Sequence, residues 1–336
     1  MTERNRLLTT FIQQNGWAAA ARVTVAGDAS NRRYERLTAP DGSTVILMDA
    51  PADKGENVRP FIAIAQHLRK IGLSAPEILR RDEANGFLLI EDLGDDLFKR
   101  VIARDPALEV PLYEASVDVL TVLHAAPQPT LAPYDTATMT QFAARAYEWY
   151  SFGLTGEKDT PEQATFQHLM ADLLVPLADA PQVLIQRDYH AENLLWLPTR
   201  TGAARVGLLD FQDAMSGHAA YDLVSILQDA RRDVPPAIEA AMIDRYLAQN
   251  PQDNAAFRAA YAILGIQRNL RIVGAFAKLC IVAGKPRYID LIPRVWEFVE
   301  RNMDHPALAP IAAHIRATLP PPTPDALARL KSKCAI

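Results

Sequence analysis

The sequence predicts an α+β fold in two lobes, a small antiparallel sheet lobe followed by a larger, mainly helical one. Short β-branched and aliphatic runs separated by turn residues crowd the chain before Gly94. Beyond it long helical stretches take over, and strand-like runs return only between Val183 and Asp210. Length agrees, because 336 residues exceed what one ordinary core organises. With 49% of residues hydrophobic and 22% charged, the composition is that of a folded chain and not a disordered one.

An amphipathic helix opens the chain. Ala21 to Val25 then reads as a strand, the run Ala26-Gly27-Asp28-Ala29-Ser30-Asn31 as a turn, and Arg32 to Leu37 as a second strand. Pro40-Asp41-Gly42-Ser43 turns the chain into a third, Thr44 to Asp49. Phe61, Ile64, Ala65, Leu68 and Ile71 recur at the helical period, and Gly72 closes that helix. Pro76 to Leu79 and Gly86 to Glu91 complete a five-stranded antiparallel sheet in the order β-β-β-α-β-β. Helices are expected at roughly 95–124, 138–151 and 161–178, with Pro-rich connectors between them, and strands at Val183 to Gln186, Leu194 to Leu197 and Val206 to Leu209. The expected division is a nucleotide-binding sheet lobe over 1–93, a linker near 90–94, a catalytic and substrate lobe over 94–319 that carries the later hairpin, and a Pro-rich tail over 320–336 where order ends.

The formal net charge of -5 offers no basic surface to nucleic acid or an anionic membrane. No apolar run approaches the ~18 residues of a membrane span. The first 21 residues alternate polar with apolar side chains, unlike a signal peptide, so a cytoplasmic protein is expected. Cys280 and Cys334 stand far apart without ligand spacing, as free thiols of a reducing compartment would.

The chemistry concentrates in two segments. Gln186-Arg187-Asp188-Tyr189-His190-Ala191-Glu192-Asn193 lies between two short strands, and Leu208-Leu209-Asp210-Phe211-Gln212-Asp213 ends the next. The spacing Arg-Asp-x-x-x-x-Asn followed by Asp-Phe-x is the arrangement of a kinase catalytic loop and its metal-binding Asp. Phosphoryl transfer needs one carboxylate facing the attacking hydroxyl, the role expected of Asp188, and a carboxylate with an amide oxygen facing Mg²⁺, the role expected of Asp210 and Asn193. His190 is expected to hold the catalytic loop by hydrogen bonding. Asp222 either braces that loop or is an ordinary helix-start carboxylate.

The nucleotide side is less regular. Gly27 to Arg33 is no Gly-x-Gly-x-x-Gly loop, but a tight turn whose backbone amides and Ser30 hydroxyl meet phosphate would do similar work, with Asn31 a further nucleotide-binding candidate in the same turn. Met48 stands in the third strand where kinases carry a phosphate-binding Lys, and Arg32 or Arg33 is the expected substitute. Glu91 and Leu93, in the linker Ile90-Glu91-Asp92-Leu93, are expected to meet adenine through their backbone.

These motifs resemble the aminoglycoside phosphotransferase superfamily, of protein-kinase-like fold, and within it the branch of anomeric N-acetylmuramate/N-acetylglucosamine kinases. The resemblance runs over nearly the whole chain, through Gly27-Asp28-Ala29-Ser30, Arg32-Arg33-Tyr34, Met48-Asp49-Ala50-Pro51, Leu89 to Gly94, Arg187-Asp188-Tyr189-His190, Asp210 to Ala214, Tyr221 to Ser225 and Gly284-Lys285-Pro286-Arg287-Tyr288. The last segment and Gln212 point to the sugar kinase branch, while Gln186 departs from the usual His. The resemblance implies ATP- and Mg²⁺-dependent phosphorylation of a sugar at its anomeric hydroxyl, in cell-wall sugar recycling.

Only Phe211 to Ala220 separates Asp210 from the next helix, too little for the activation segment of a protein kinase, which favours a small acceptor. The part from Ala219 onward carries more Lys and Arg than Asp and Glu while the rest is acidic, a balance that does not suit a polycationic aminoglycoside. Arg268, Arg271 and Lys278 recur there at helical spacing, the pattern of a solvated basic stripe. Two alternatives stand beside the sugar kinase: an aminoglycoside or choline-type phosphotransferase, and a nucleotide-binding pseudokinase scaffold, permitted by Met48 but disfavoured by the presence of Asp188, Asn193 and Asp210 together.

Overall fold

The computed structural model describes residues 2–25 and 31–335. The first half of the chain forms α1 (Glu3–Gln14), β1 (Ala21–Val25), β2 (Arg33–Thr38), β3 (Thr44–Asp49), α2 (Arg59–Lys70), β4 (Ile78–Asp82), β5 (Phe87–Glu91), α3 (Phe98–Arg104), α4 (Glu109–Ala125), α5 (Thr136–Arg145), α6 (Phe152–Thr155) and α7 (Pro161–Ala178). There follow β6 (Gln182–Ile185), β7 (Leu194–Trp196), β8 (Val206–Leu208), β9 (Met215–His218), α8 (Ala220–Leu227), α9 (Pro236–Gln249), α10 (Asn254–Ile281), α11 (Ile292–Met303), α12 (Ala309–Thr318) and α13 (Pro324–Lys331). Contacts divide the chain into two compact units, Met1–Ala126 with Glu192–Ala214, and Pro127–Ala191 with Met215–Ile336.

In the first unit the five strands pair in the order β1-β2-β3-β5-β4, every pair antiparallel. Alternation decides which side chains face the core: Leu37, Val45, Leu47, Phe87 and Leu89 gather on one face, and Leu8, Phe11 and Ile12, three and four apart on α1, cover them. Gly86 makes the entry into β5 possible. Its φ is +73°, and a Cβ there would lie 2.1 Å from the Ala50 carbonyl oxygen, which no side chain tolerates. Helix α2 buries Phe61, Ile64, Ala65 and Leu68 as its period predicts, and Phe61 stacks on Phe211 with ring centroids 4.9 Å apart.

Several boundaries differ from expectation for identifiable reasons. Strand β4 runs to Asp82, because an edge strand can carry Arg80, Arg81 and Asp82 outward, and a register shift between Ile78 and Arg80 hides the alternation. The helix expected over 95–124 breaks at Asp105, whose side chain accepts from the Ala107 amide and is followed by Pro106. The hairpin β7–β8, expected with the helical lobe, belongs to the unit that holds the sheet. Ser74 binds it there, its carbonyl accepting from the Leu208 amide at 2.9 Å and its hydroxyl donating to the Ala204 carbonyl at 2.6 Å.

In the second unit α10 is the central strut, 28 residues long and packed by α5, α8 and α11. β6 pairs with β9, whose Met-Ser-Gly-His sequence carries no β-branched run to mark a strand and whose Gly217 sits against Ile185. The expectation that order ends at Pro320 is overturned, since α13 follows the prolines and buries Leu330 completely. So is the expectation of free thiols: α13 returns the chain to α10, and Cys280 and Cys334 form a disulfide with Cα atoms 4.7 Å apart. Among the described residues no helix is long and apolar enough to cross a membrane.

Candidate active site

The two residues expected to bind metal come together in the first unit. Asn193 precedes β7 and Asp210 follows β8, so the hairpin pairing brings them face to face, with the Leu209 amide donating to the Asn193 carbonyl at 3.0 Å. The Asn193 amide nitrogen lies 3.5 Å from one Asp210 carboxylate oxygen, and Gln212 donates to the other at 2.7 Å. The Gln212 Oε1 is buried without a hydrogen-bond partner among the described residues. Asp210 holds a φ of +57°, an unfavourable conformation for a residue with a Cβ, which aims its carboxylate away from the line of β8.

Asp188 belongs to the second unit, and its position is set by α8. Arg187, immediately before it, has φ +71°, and both its backbone polar groups are held: its amide donates to Asp222 at 2.9 Å, and its carbonyl accepts from the Ser225 hydroxyl at 3.3 Å. Asp222 also accepts from the Gln186 amide at 2.6 Å. Asp222 and Ser225 lie three apart on one face of α8, so a single turn of helix clamps a strained loop. Of the two readings open for Asp222, the brace is the observed one.

Charge completes the setting. Burial pushes the Asp188 carboxyl upward, but Arg271, His190, Arg187 and Arg268 outweigh it and hold the group below the usual carboxylate range. The Arg271 guanidinium lies 3.9 Å from Asp188 and donates to the Tyr221 hydroxyl at 2.9 Å. Asp222, fully buried, is pushed up to about 7 by desolvation, against the pull of its two amide donors. Burial lowers His190, whose Nε2 lies 3.2 Å from the Arg231 guanidinium. The loop is further tied by the Ala191 amide, which donates to Asp229 at 3.3 Å.

On the nucleotide side Ser30 lies outside the described residues. The Asn31 amide donates to Glu56 at 3.0 Å, and its side chain to the Lys54 carbonyl. Arg32 pairs with Glu56 at 2.8 Å, with only 12% and 11% of the two side chains exposed. Burial works against the Arg32 charge, yet Tyr34, Glu56 and Asp213 outweigh it, and Asp213 follows Asp210 by three residues. Arg33 faces away, exposed beside Asn5, Arg22, Glu35 and Asp49. Met48 is buried in the sheet between Tyr34 and Leu88. Glu91 is committed to structure: its amide donates to the Glu77 carbonyl at 2.8 Å, and its carboxylate meets Arg69 and Arg200. Asp92 likewise binds Arg36, at 2.6 Å. Leu93 follows this anchored pair.

Sequence reasoning missed Glu56. The available signal was an acidic side chain just ahead of α2, close enough to the turn before β2 to pair with one of its two arginines.

Residues 22–260 match the phosphotransferase enzyme family. The chain is 40% identical to an N-acetylmuramate/N-acetylglucosamine kinase of Caulobacter vibrioides, over 93% of this chain and 96% of that one. It is 33% identical to a protein of the same name from Pseudomonas aeruginosa, over 91% of each. Among solved structures it resembles a choline/ethanolamine kinase family protein from Mesorhizobium loti, at a TM-score of 0.61 and 14% identity over 94% of this chain and 99% of that one. It also resembles an aminoglycoside-3'-phosphotransferase of type VIII, at a TM-score of 0.55 and 18% identity over 81% and 100%. The two-lobed kinase-like architecture expected from sequence is therefore the fold.

Proposed function

The chain belongs to the phosphotransferase enzyme family, and from that membership we propose that it transfers the γ-phosphate of ATP to the anomeric hydroxyl of N-acetylmuramate or N-acetylglucosamine. The observation that carries the proposal is the relative of that name matching nine-tenths or more of both chains. With ATP as the phosphoryl donor, the reading carries a cytoplasmic setting with it.

The roles follow from the geometry. Asp188, ionised at neutral pH and fixed by the brace from α8, orients the acceptor hydroxyl and takes up its proton. Mg²⁺ neutralises phosphate oxygens and is content with one or two carboxylates, substrate phosphates and water. Asp210 and Asn193 fit that modest demand, and the buried Gln212 Oε1 adds a third oxygen donor at the same place. Leu93 and the anchored linker would face adenine. In functional terms the nucleotide-binding part is residues 1–93, and acceptor recognition belongs to the chain from 94 onward.

Arg32 takes the part of the missing third-strand Lys, with Glu56 as its counter-ion. Arg32→Ala should therefore raise the KM for ATP and lower turnover together, a loss on the order of 2 kcal/mol for a charge-assisted contact. Arg33→Ala should change little, within about 0.5 kcal/mol. Steady-state kinetics with saturating sugar measures both, and two silent variants would leave the triphosphate to backbone amides. The function itself is tested by ADP release with N-acetylmuramate, N-acetylglucosamine, kanamycin and choline as acceptors. Turnover confined to the two sugars is expected, and turnover confined to kanamycin or choline would overturn the reading.

A further inference from the structure

Three guanidinium groups surround one aromatic ring in the second unit. Arg145 lies 4.3 Å from the Phe142 ring centroid, Arg187 5.6 Å and Arg271 5.7 Å. Arg187 also stands 5.7 Å from the Tyr134 ring. Cations gathered on the faces of one ring system are oriented by it, but they repel one another. The Arg145 guanidinium registers this: burial lowers its proton affinity, Arg271 and Arg187 lower it further, and Glu148 and Tyr134 counter only in part.

The cluster is built, not incidental. Gly274 follows Arg271 by three residues on α10, and a Cβ there would lie 2.2 Å from the backbone carbonyl carbon and oxygen of Arg145. Only glycine lets α10 approach the end of α5 closely enough to set Arg145 beside Arg271. Directly after Arg145 the backbone widens into a π-helical turn over Ala146–Ser151, an irregularity that recurs at functional sites. Arg271, meanwhile, is oriented by the Tyr221 hydroxyl and lies 3.9 Å from Asp188. The basic residues of this helix are thus not a solvated stripe at Arg268 and Arg271: Arg268 is buried and donates to the Gln228 carbonyl at 3.2 Å.

We propose that Arg145, with Arg187 and Arg271, forms a subsite for a carboxylate carried by the acceptor sugar, and so selects N-acetylmuramate over N-acetylglucosamine. The proposal rests on the sugar kinase reading and deepens it. N-acetylmuramate differs from N-acetylglucosamine by an ether-linked lactyl group, whose carboxylate leaves a ring carbon not adjacent to the anomeric one. Arg271 connects the two requirements, touching Asp188 on one side and the Phe142 cluster on the other. Planar guanidiniums are the groups best matched to a carboxylate, which they bind through paired hydrogen bonds.

The test compares kcat/KM for N-acetylmuramate, its carboxamide and N-acetylglucosamine, in the wild type and in Arg145→Gln. The carboxamide keeps the shape of the lactyl group and removes its charge. The wild type should use the carboxamide less well than the acid, by on the order of tenfold to a hundredfold for a lost charge-assisted contact. In Arg145→Gln the preference for N-acetylmuramate over N-acetylglucosamine should fall several-fold, and the advantage of acid over carboxamide should shrink with it, Arg187 and Arg271 keeping the remainder. A wild type that uses acid and carboxamide equally overturns the subsite, whether or not the variant folds. An unchanged sugar preference in a folded Arg145→Gln does the same. A wild type inactive on both sugars removes the sugar kinase reading, and the subsite with it.

Discussion

Asp188→Asn is expected to lower turnover by roughly 10² to 10⁴-fold, the range that general-base and positioning effects contribute, with the fold and ATP binding preserved. The amide keeps the shape of the side chain and the backbone brace, because Asp222 and Ser225 hold Arg187 and not the Asp188 carboxylate. What is lost is the proton acceptor. The pH dependence gives a second handle with a definite sign. The working form of Asp188 is the carboxylate, so activity falls as pH drops through its folded pKa, and that pKa lies below the ordinary 3.8. The wild-type kcat/KM should show no limb from Asp188 between neutral pH and about pH 4. A limb centred near 7 that survives in Asp188→Asn would point to Asp222, whose carboxyl is pushed up to about 7, and would move the proton-accepting role from Asp188.

Asp210→Ala should cost roughly 10² to 10³-fold in turnover, the loss typical when one preorganised stabiliser of transferring charge is removed. Its signature is in the metal titration. A carboxylate neutralises charge and an amide does not, so Asp210→Ala should shift the Mg²⁺ dependence of nucleotide binding further than Asn193→Ala. Gln212 loses its carboxylate partner in the same variant, which should loosen the loop after β8 without unfolding the hairpin. Indistinguishable Mg²⁺ titrations for the wild type and Asp210→Ala, followed by nucleotide fluorescence, would remove Asp210 from the metal site.

Local pattern explains how much of the fold could be read in advance. The strands β1, β3 and β5 are bounded by turn residues and rich in β-branched or aliphatic side chains, β2 lies between two turns, and each of the four lies within about two residues of its expected span. Helix α2 buries four of the five residues its period names, Ile71 being its half-buried C-cap. Where the reading failed, the deciding partner was distant. β9 exists because β6, some thirty residues earlier, offers it an edge. α13 is ordered because α10 supplies a surface for Leu330 and a cysteine for Cys334.

The candidate site divides the same way. Spacing alone singled out Asp188, Asn193 and Asp210, because a catalytic loop and a strand-end carboxylate are short segments whose residues stay near one another in the chain. Sequence could not choose between Arg32 and Arg33, nor between a brace and a helix cap for Asp222. Those choices depended on Glu56, Arg187 and Ser225, which lie far along the chain from the groups they hold. Nor could it set Arg145 beside Arg271, which required a glycine at 274 to bring two helices into backbone contact. The sequence by itself thus determined the fold class, the element order and the residue types available for chemistry, since these follow from side-chain periodicity and turn chemistry over a few neighbours. Only the tertiary structure decided which charge meets which, because Coulomb and hydrogen-bond energies act over a few ångströms of space and take no account of separation along the chain.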